Sequence, residues 1–263
     1  MPEAWIIVGA SRGIGLEFVR QLAESGQRTI AAVRDKSRVE QLDEVVKQYA
    51  GNGGDLITVE ECDVASEKSI EVGPVRIRGT DSFTSAIKKR VLEDRLQVKN
   101  VILNAGINHY PNRATEISFS SFTLHITTNT IGPIITAQKL LAIDPASPPP
   151  EKLVFISSDS GSTALFRGHE DGFGIYAATK AALNQALRHM AAEIERNGGK
   201  GTCVLALHPG EVETDMANVE LGWQVEGVIQ PRESVEGMLR VIAEKGAEDN
   251  GTFWRWDGRS HPW

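Results

Sequence analysis

Two hydrophobic rhythms alternate along this chain. Short, nearly uninterrupted apolar runs occur at Trp5–Val8, Thr29–Val33, Leu56–Val59, Asn100–Leu103, Lys152–Ile156, Thr202–Leu207 and Thr252–Trp254. Runs of this length read as strands buried on both faces. Between them lie segments with helical periodicity, near 13–25, 37–50, 81–97, 115–141, 175–197 and 232–245. In the second, Val39, Leu42, Val45, Val46 and Tyr49 share one face, and in the fifth Leu183, Leu187, Met190 and Ile194 do the same. Strict alternation of strand and helix predicts repeated βαβ units. The expected fold is therefore α/β, a single doubly wound, seven-stranded parallel sheet with helices on both faces. The Pro-rich stretch 144–150 reads as a surface loop, because the alternation continues across it. Segment 66–80, interrupted by Gly73-Pro74 and Gly79, reads as an insertion of no assigned role.

Composition narrows the function classes. The chain has 263 residues with 28 basic and 35 acidic side chains, a formal net charge of −7. No excess cation is available to neutralise phosphates, so neither nucleic acid nor an anionic membrane surface is an expected partner. No run approaches the roughly 20 apolar residues of a spanning helix. The N-terminus lacks the basic region, apolar stretch and cleavage site of a signal peptide, which points to a cytoplasmic protein. Cys62 and Cys203 both sit in apolar strand-like settings and read as buried free thiols. Six histidines show no metal-ligand spacing, so no metal site is expected. The Gly-x-Ser-x-Gly elbow of hydrolases is absent around Ser158.

The first strand runs into Gly9-Ala10-Ser11-Arg12-Gly13-Ile14-Gly15 and then a helix. Gly9 permits a tight turn, Gly13 lets backbone amides approach a pyrophosphate, and Gly15 lets helix pack on strand. Ser11, Arg12 and Ile14 fill the intervening places of this expected dinucleotide cradle, whose anion would meet the helix N-terminus. The second strand ends at Arg34-Asp35, where an arginine would meet a 2′-phosphate or an acid a ribose hydroxyl. Arg12 and Arg34 together favour NADP(H); Asp35 argues for NAD or caps the next helix.

Tyr176 and Lys180 stand at i,i+4 at the start of a predicted helix, on one face. Ser158 follows the fifth strand, at the carboxyl edge where parallel-sheet enzymes build sites. With these pieces the sequence resembles the short-chain dehydrogenase/reductase family over nearly its whole length. The matching motifs are Gly9-x-x-x-Gly13-x-Gly15, Asp63-Val64, Asn104-Ala105-Gly106, Asn129, Ser158, Tyr176-x-x-x-Lys180 and Pro209-Gly210-x-x-x-Thr214. The C-terminal Trp256–Trp263 is similar to the tail of a branch holding C-factor and sniffer-like carbonyl reductases and norsolorinic acid ketoreductase-like enzymes.

The resemblance implies a single Rossmann domain over 1–263 and a reductase that moves a hydride between NADP(H) and a carbonyl. It implies Tyr176 as general acid/base, with Lys180 lowering its pKa and holding the nicotinamide ribose. Ser158 would hydrogen-bond the substrate oxygen, and Asn129 would support a water linking Lys180 to solvent. Asp63 and Val64 would touch adenine, Asn104, Ala105 and Gly106 would line the cofactor, and Pro209, Gly210, Val212 and Thr214 would meet the carboxamide side. An ammonium about 4.5 Å from a phenol, at an effective dielectric near 20, is worth about 3–4 kcal/mol, enough to lower the phenol by 2–3 pK units.

Three departures from the family pattern matter. Val8 stands where a threonine is common, Leu103-Asn104 replaces a double asparagine, and the Ser158–Tyr176 spacing is longer. The longer spacing keeps Ser160 and Ser162 as substitutes for Ser158. The extra loop, 163–174, carries Phe166, Arg167, His169 and Phe173, and is expected to border the substrate together with loops 108–114 and 211–230. His109 and His208, on site-facing loops, read as packing residues. Segment 211–230 reads as a lid whose Met216, Leu221, Trp223 and Val225 suit a bulky apolar or aromatic ketone or aldehyde, polyketide-like ones included. The resemblance also implies a homodimer or homotetramer. The alternative reading is an NADP(H)-binding regulatory or signalling protein of the same fold.

Overall fold

The computed structural model describes residues 1–51, 56–71, 82–144, 146–168, 170–198 and 201–263. Its strands are β1 (Glu3–Val8), β2 (Arg28–Val33), β3 (Ile57–Glu61), β4 (Gln97–Leu103), β5 (Lys152–Ile156), β6 (Cys203–His208), a short pair β7 (Glu211–Val212) and β8 (Val228–Ile229), and β9 (Thr252–Arg255). Its helices are α1 (Gly13–Glu24), α2 (Glu40–Tyr49), α3 (Glu67–Ile70), α4 (Phe83–Glu93), α5 (Phe119–Ile126), α6 (Gly132–Leu141), α7 (Gly174–Arg196) and α8 (Pro231–Glu244). Seven strands form one parallel sheet in the order β3-β2-β1-β4-β5-β6-β9.

The apolar runs are continuous because every strand of the sheet except the edge strand β3 feeds two cores. Ile6 and Val8 point into one layer and Ile7 into the other; Val101 and Leu103 are set against Ile102, and Leu153 and Phe155 against Val154 and Ile156. The first layer is completed by Phe83 and Ile87 of α4, Ala137 and Leu140 of α6, and Leu183 and Leu187 of α7. The second takes Leu16, Phe18 and Leu22 of α1, Leu42 and Val45 of α2, and Val235, Met238 and Ile242 of α8. Three helices per face is the doubly wound arrangement the alternation predicts. Cys62 and Cys203 are free and buried, one in each layer.

Strand β1 is the switch point: the chain winds outward from it through β2 and β3, then returns to pair β4 on its other side. The crevice at the carboxyl ends of β1 and β4 is where such sheets hold ligands. In register, Val8 lies beside Leu103, Leu103 beside Phe155, Ile156 beside Leu207 and His208 beside Arg255. The loops after these strands therefore meet along one edge.

Some element bounds differ from expectation. The long helix expected over 115–141 begins only at Phe119, because a turn closed by Glu116 and Ile117 on the Arg113 carbonyl precedes it and Ser118 caps it. A π-helical turn, Thr127–Ile131, then joins α5 to α6. Such a turn is a common device for re-aiming a functional side chain, and Asn129 lies at its centre. Of the insertion, residues 66–71 begin the short α3, capped by Ser66; residues 72–80 and His169 lie outside the described residues. Among the described residues no helix is long and apolar enough to cross a membrane.

Candidate active site

The glycine-rich turn leaves β1 at Gly9 with φ +90°, and a Cβ there would stand 2.7 Å from the Ala105 backbone. A Cβ on Gly15 would lie 2.0 Å from the Gly9 carbonyl oxygen, so the α1 N-terminus packs directly on the turn. Arg12, the N-cap of α1, makes no side-chain cap, and no acid occupies the first turn. The first amides of α1 therefore remain available to an anion. The cradle fits a dinucleotide pyrophosphate. Asn104 is its clasp: its amide donates to the Gly9 carbonyl at 2.9 Å, while the Asn104 and Ala105 N–H groups donate to Val8.

Arg34 is exposed at the end of β2. Arg12 reaches forward to Asp215 at 3.5 Å, an exposed pair worth little by itself. The Asp35 carboxylate accepts from the Ser37 N–H at 2.9 Å and the Ser37 hydroxyl at 2.6 Å. These hydrogen bonds hold its pKa below the usual carboxylate range, so Asp35 is spent on its own turn. Asp63 accepts from the Ala65 N–H at 3.0 Å, and Val64 packs under Gly132 of α6. Thr214 lies over Gly13, 3.5 Å from the position of an added Cβ. Pro209 is held by the Ser234 hydroxyl at 2.6 Å. Gly210 is overlain by Trp256, and Val212 of β7 is buried and pairs with Ile229 of β8. This pairing closes the base of segment 211–230, and the expected lid residues lie in the irregular stretch between the two strands.

Ser158, Tyr176, Lys180 and Asn129 converge. The Ser158 hydroxyl lies close enough to the Tyr176 phenol to pull its pKa down, and the Ser158 Oγ donates to Asp159 Oδ1 at 3.1 Å. Ser162 is buried without a hydroxyl partner, whereas the Ser160 N–H donates to the Ser158 Oγ. Ser158 is thus the serine that faces the phenol. Lys180, 4% exposed, donates from Nζ to the Ile156 carbonyl at 2.7 Å. A Cβ on Gly106 would lie 3.4 Å from Asn129 Oδ1 and 3.8 Å from Lys180 Nζ. Asn129 grips both backbone groups of Ile107, accepting its N–H at 2.7 Å and donating to its carbonyl at 2.9 Å.

One electrostatic expectation is corrected. The Tyr176 phenol is not lowered but pushed up to about 12, with burial the largest cause; the Ser158 hydroxyl pulls it down, while Asp159 and Glu211 push it further up. The Lys180 ammonium lies 5.8 Å from the ring centroid and is itself pushed down to about 8 by burial. Desolvation is the largest cause for both groups, and the attraction of the simple two-charge picture is a cause of neither shift.

Two parts of the site are missed by sequence reasoning. The first is Asn112, fully buried, whose Oδ1 accepts from the N–H groups of Ile175 and Tyr176 at 3.1 and 2.9 Å. Its amide donates to Asn108 Oδ1 and the His109 carbonyl at 2.8 and 3.2 Å. The second is a charged cluster: Arg167 meets Asp159 at 2.9 Å, Glu170 at 2.8 Å and Glu211 at 3.9 Å. Buried His208 accepts the Asp159 N–H at Nδ1, 3.2 Å away, and burial pushes its pKa down. The ligand atoms of Asp159, His208 and Glu211 lie within 4.8 Å of one another. Because Nδ1 accepts, Nε2 keeps its proton, and the Arg167 guanidinium already supplies the cation; the donor set does not suit a metal.

The family model for short chain dehydrogenase matches residues 3–224. This chain belongs to that family and is an oxidoreductase of it. It is 28% identical to an uncharacterized oxidoreductase of Schizosaccharomyces pombe over 273 residues, covering 99% of this chain and 98% of the other. It is 29% identical to C-signal of Myxococcus xanthus over 164 residues, covering 62% of this chain and 91% of the other. Among solved structures it resembles an NADPH-bound carbonyl reductase from chicken fatty liver, with a TM-score of 0.80, 25% identity, and coverage of 99% and 98%.

Proposed function

We propose that the protein is an NADPH-dependent carbonyl reductase acting on bulky apolar or aromatic ketones and aldehydes. The observation that carries this reading is the convergence of Ser158, Tyr176 and Lys180 beside the cradle, with Lys180 Nζ 5.8 Å from the Tyr176 ring and the phenol held in its protonated form. The cofactor, when bound, supplies the hydride. Charge then develops on the carbonyl oxygen, where Ser158 donates a hydrogen bond by turning its hydroxyl away from Asp159 and Tyr176 delivers its proton. A phenol near 12 is protonated at neutral pH and suited to the reduction direction. Lys180 holds the nicotinamide ribose, and Asn129 keeps the Ile107 backbone beside Lys180.

For the cofactor, Gly9, Ser11, Arg12, Gly13, Ile14 and Gly15 take the pyrophosphate, and Arg12 and Arg34 take the 2′-phosphate. Asp63 and Val64 take the adenine, with Ala105 and Gly106 lining the crevice behind the Asn104 clasp. Pro209, Gly210, Val212 and Thr214 take the carboxamide side. The NADP(H) preference is supported by Asp35, whose carboxylate is turned onto Ser37, and by the NADPH-bound neighbour in the chicken structure. Segment 211–230 serves as the lid; Trp223 within it meets Phe173 edge-on, with ring centroids 6.1 Å apart. We place the protein in the cytoplasm, as a homodimer or homotetramer built on the exposed apolar residues Phe119, Phe122 and Ile131.

The test is oxidation of NADPH and NADH over a carbonyl panel running from aliphatic aldehydes to polycyclic ketones. NADPH is expected to be preferred, with Arg34→Asp lowering that preference at least ~10-fold. Equal use of both cofactors by the wild type would count against the assignment. The match to C-signal favours a second reading, a signalling protein of this fold. In that case NADPH binds and no carbonyl is reduced.

A further inference from the structure

The charged cluster beside Ser158 bears on substrate choice, an inference that rests on the reductase reading. Three carboxylates converge on one guanidinium: Asp159 from the turn after β5, Glu170 from the loop before α7 and Glu211 from β7, all on Arg167. Among the described residues, the nearby groups redress the balance only in part. His208, at the end of β6, is held neutral by burial, Arg255 of β9 attracts Glu211 but is also paired with Asp257 at 3.6 Å, and the Lys180 ammonium is turned to the Ile156 carbonyl. The surplus negative charge reaches the reacting centre directly. Ser158 gives its hydroxyl hydrogen to Asp159 at 3.1 Å, and Asp159 and Glu211 both act on the Tyr176 phenol. The neighbouring loops contribute uncharged aromatic surface instead: Tyr110 against Phe173 at 5.1 Å, and Phe173 against Trp223 at 6.1 Å.

We propose that Asp159, Glu170, Glu211 and Arg167 form a selectivity wall, so that the site takes uncharged aromatic carbonyl compounds and turns away those carrying a carboxylate next to the carbonyl. An anionic group bound against Ser158 and Tyr176 would stand about 6 Å from a net negative charge, a penalty of roughly 100-fold at an effective dielectric near 20. Arg167 offers it little relief, because its donors are already shared among three carboxylates. The expected apolar and aromatic pocket is thereby refined: it has one strongly charged side, and that side selects by repulsion.

The test compares methyl benzoylformate with benzoylformate, the same aryl ketone as a neutral ester and as an anion. NADPH oxidation and tryptophan quenching of the NADPH-loaded protein are followed for both. In the wild type the ester is expected to exceed the acid by at least ~30-fold in kcat/KM and to bind more tightly. Glu211→Gln should narrow this ratio about fivefold or more, and Arg167→Gln should widen it. Because each variant is read as its own ratio, a general loss of activity does not move the result. A wild-type ratio near one, or a ratio unmoved by Glu211→Gln, overturns the wall. Preferential binding of the ester without reduction of either compound supports the wall and contradicts the reductase reading. No preference in binding and no reduction contradicts both.

Discussion

Lys180 keeps an ammonium at 4% exposure with the Ile156 carbonyl as its hydrogen-bond acceptor. Burial lowers its pKa from 10.5 to about 8, which corresponds to about 3 kcal/mol of folding stability lost at neutral pH. The folded pKa lies below the unfolded one, so below pH 8 both states hold the proton and the penalty is complete. Between about 8 and 10.5 the folded chain gives up the proton first, and stability rises with pH. Lys180→Met should therefore be more stable than the wild type at pH 7, with the advantage shrinking by pH 10, while turnover is lost. Thermal unfolding at both pH values measures this. A variant no more stable than wild type at pH 7 would show that the buried ammonium carries no such cost. That Tyr176 and Lys180 share one face of α7 was legible from their spacing, but the direction of the tyrosine shift was not. Sequence spacing reports the distance between two charges and nothing of the desolvation each undergoes.

At the scale of elements, helix α7 carries Tyr176 and Lys180, yet its N-cap residue Phe173 supplies no side-chain cap. Asn112 provides the missing acceptor from another loop and so fixes the height of Tyr176. Asn112→Ala would leave the Tyr176 N–H without an acceptor, while the Ile175 N–H keeps the Asn112 main-chain carbonyl at 3.0 Å, at a cost of about 1–3 kcal/mol. It should lower kcat ~10-fold or more by loosening the phenol, with NADPH affinity little changed. Asn112→Asp, which keeps the acceptor and loses the two donors, should recover part of both. Urea unfolding, steady-state kinetics and NADPH titration separate these effects; equal losses in kcat and cofactor affinity would contradict the positioning role. A cap supplied from more than sixty residues away leaves no local signal, unlike Ser82, Ser66 and Ser118, which cap the helices that directly follow them. The late start of α5 was likewise hidden, since the apolar period continues upstream of Ser118 while the backbone turns at Arg113.

Over the whole molecule, the doubly wound sheet was legible because its central strands are buried on both faces and the helices that cover them on one. Those two periods leave little choice of architecture. The glycine turn was legible too, since Gly9 and Gly15 sit where no side chain fits. What the chain order conceals is convergence. Arg167 meets partners at positions 159, 170 and 211, each an ordinary surface charge by composition, and only the shared carboxyl edge of β5, β6 and the loop before α7 makes them one cluster. The central claim is that this edge, with Tyr176 as proton donor, reduces carbonyls. The most direct measurement is Tyr176→Phe beside the wild type, with NADPH binding and carbonyl reduction followed in the same preparations. The account predicts NADPH affinity within about threefold of wild type and turnover lower by ~1,000-fold or more. A variant that binds NADPH and still reduces the wild-type substrates at a comparable rate would contradict it.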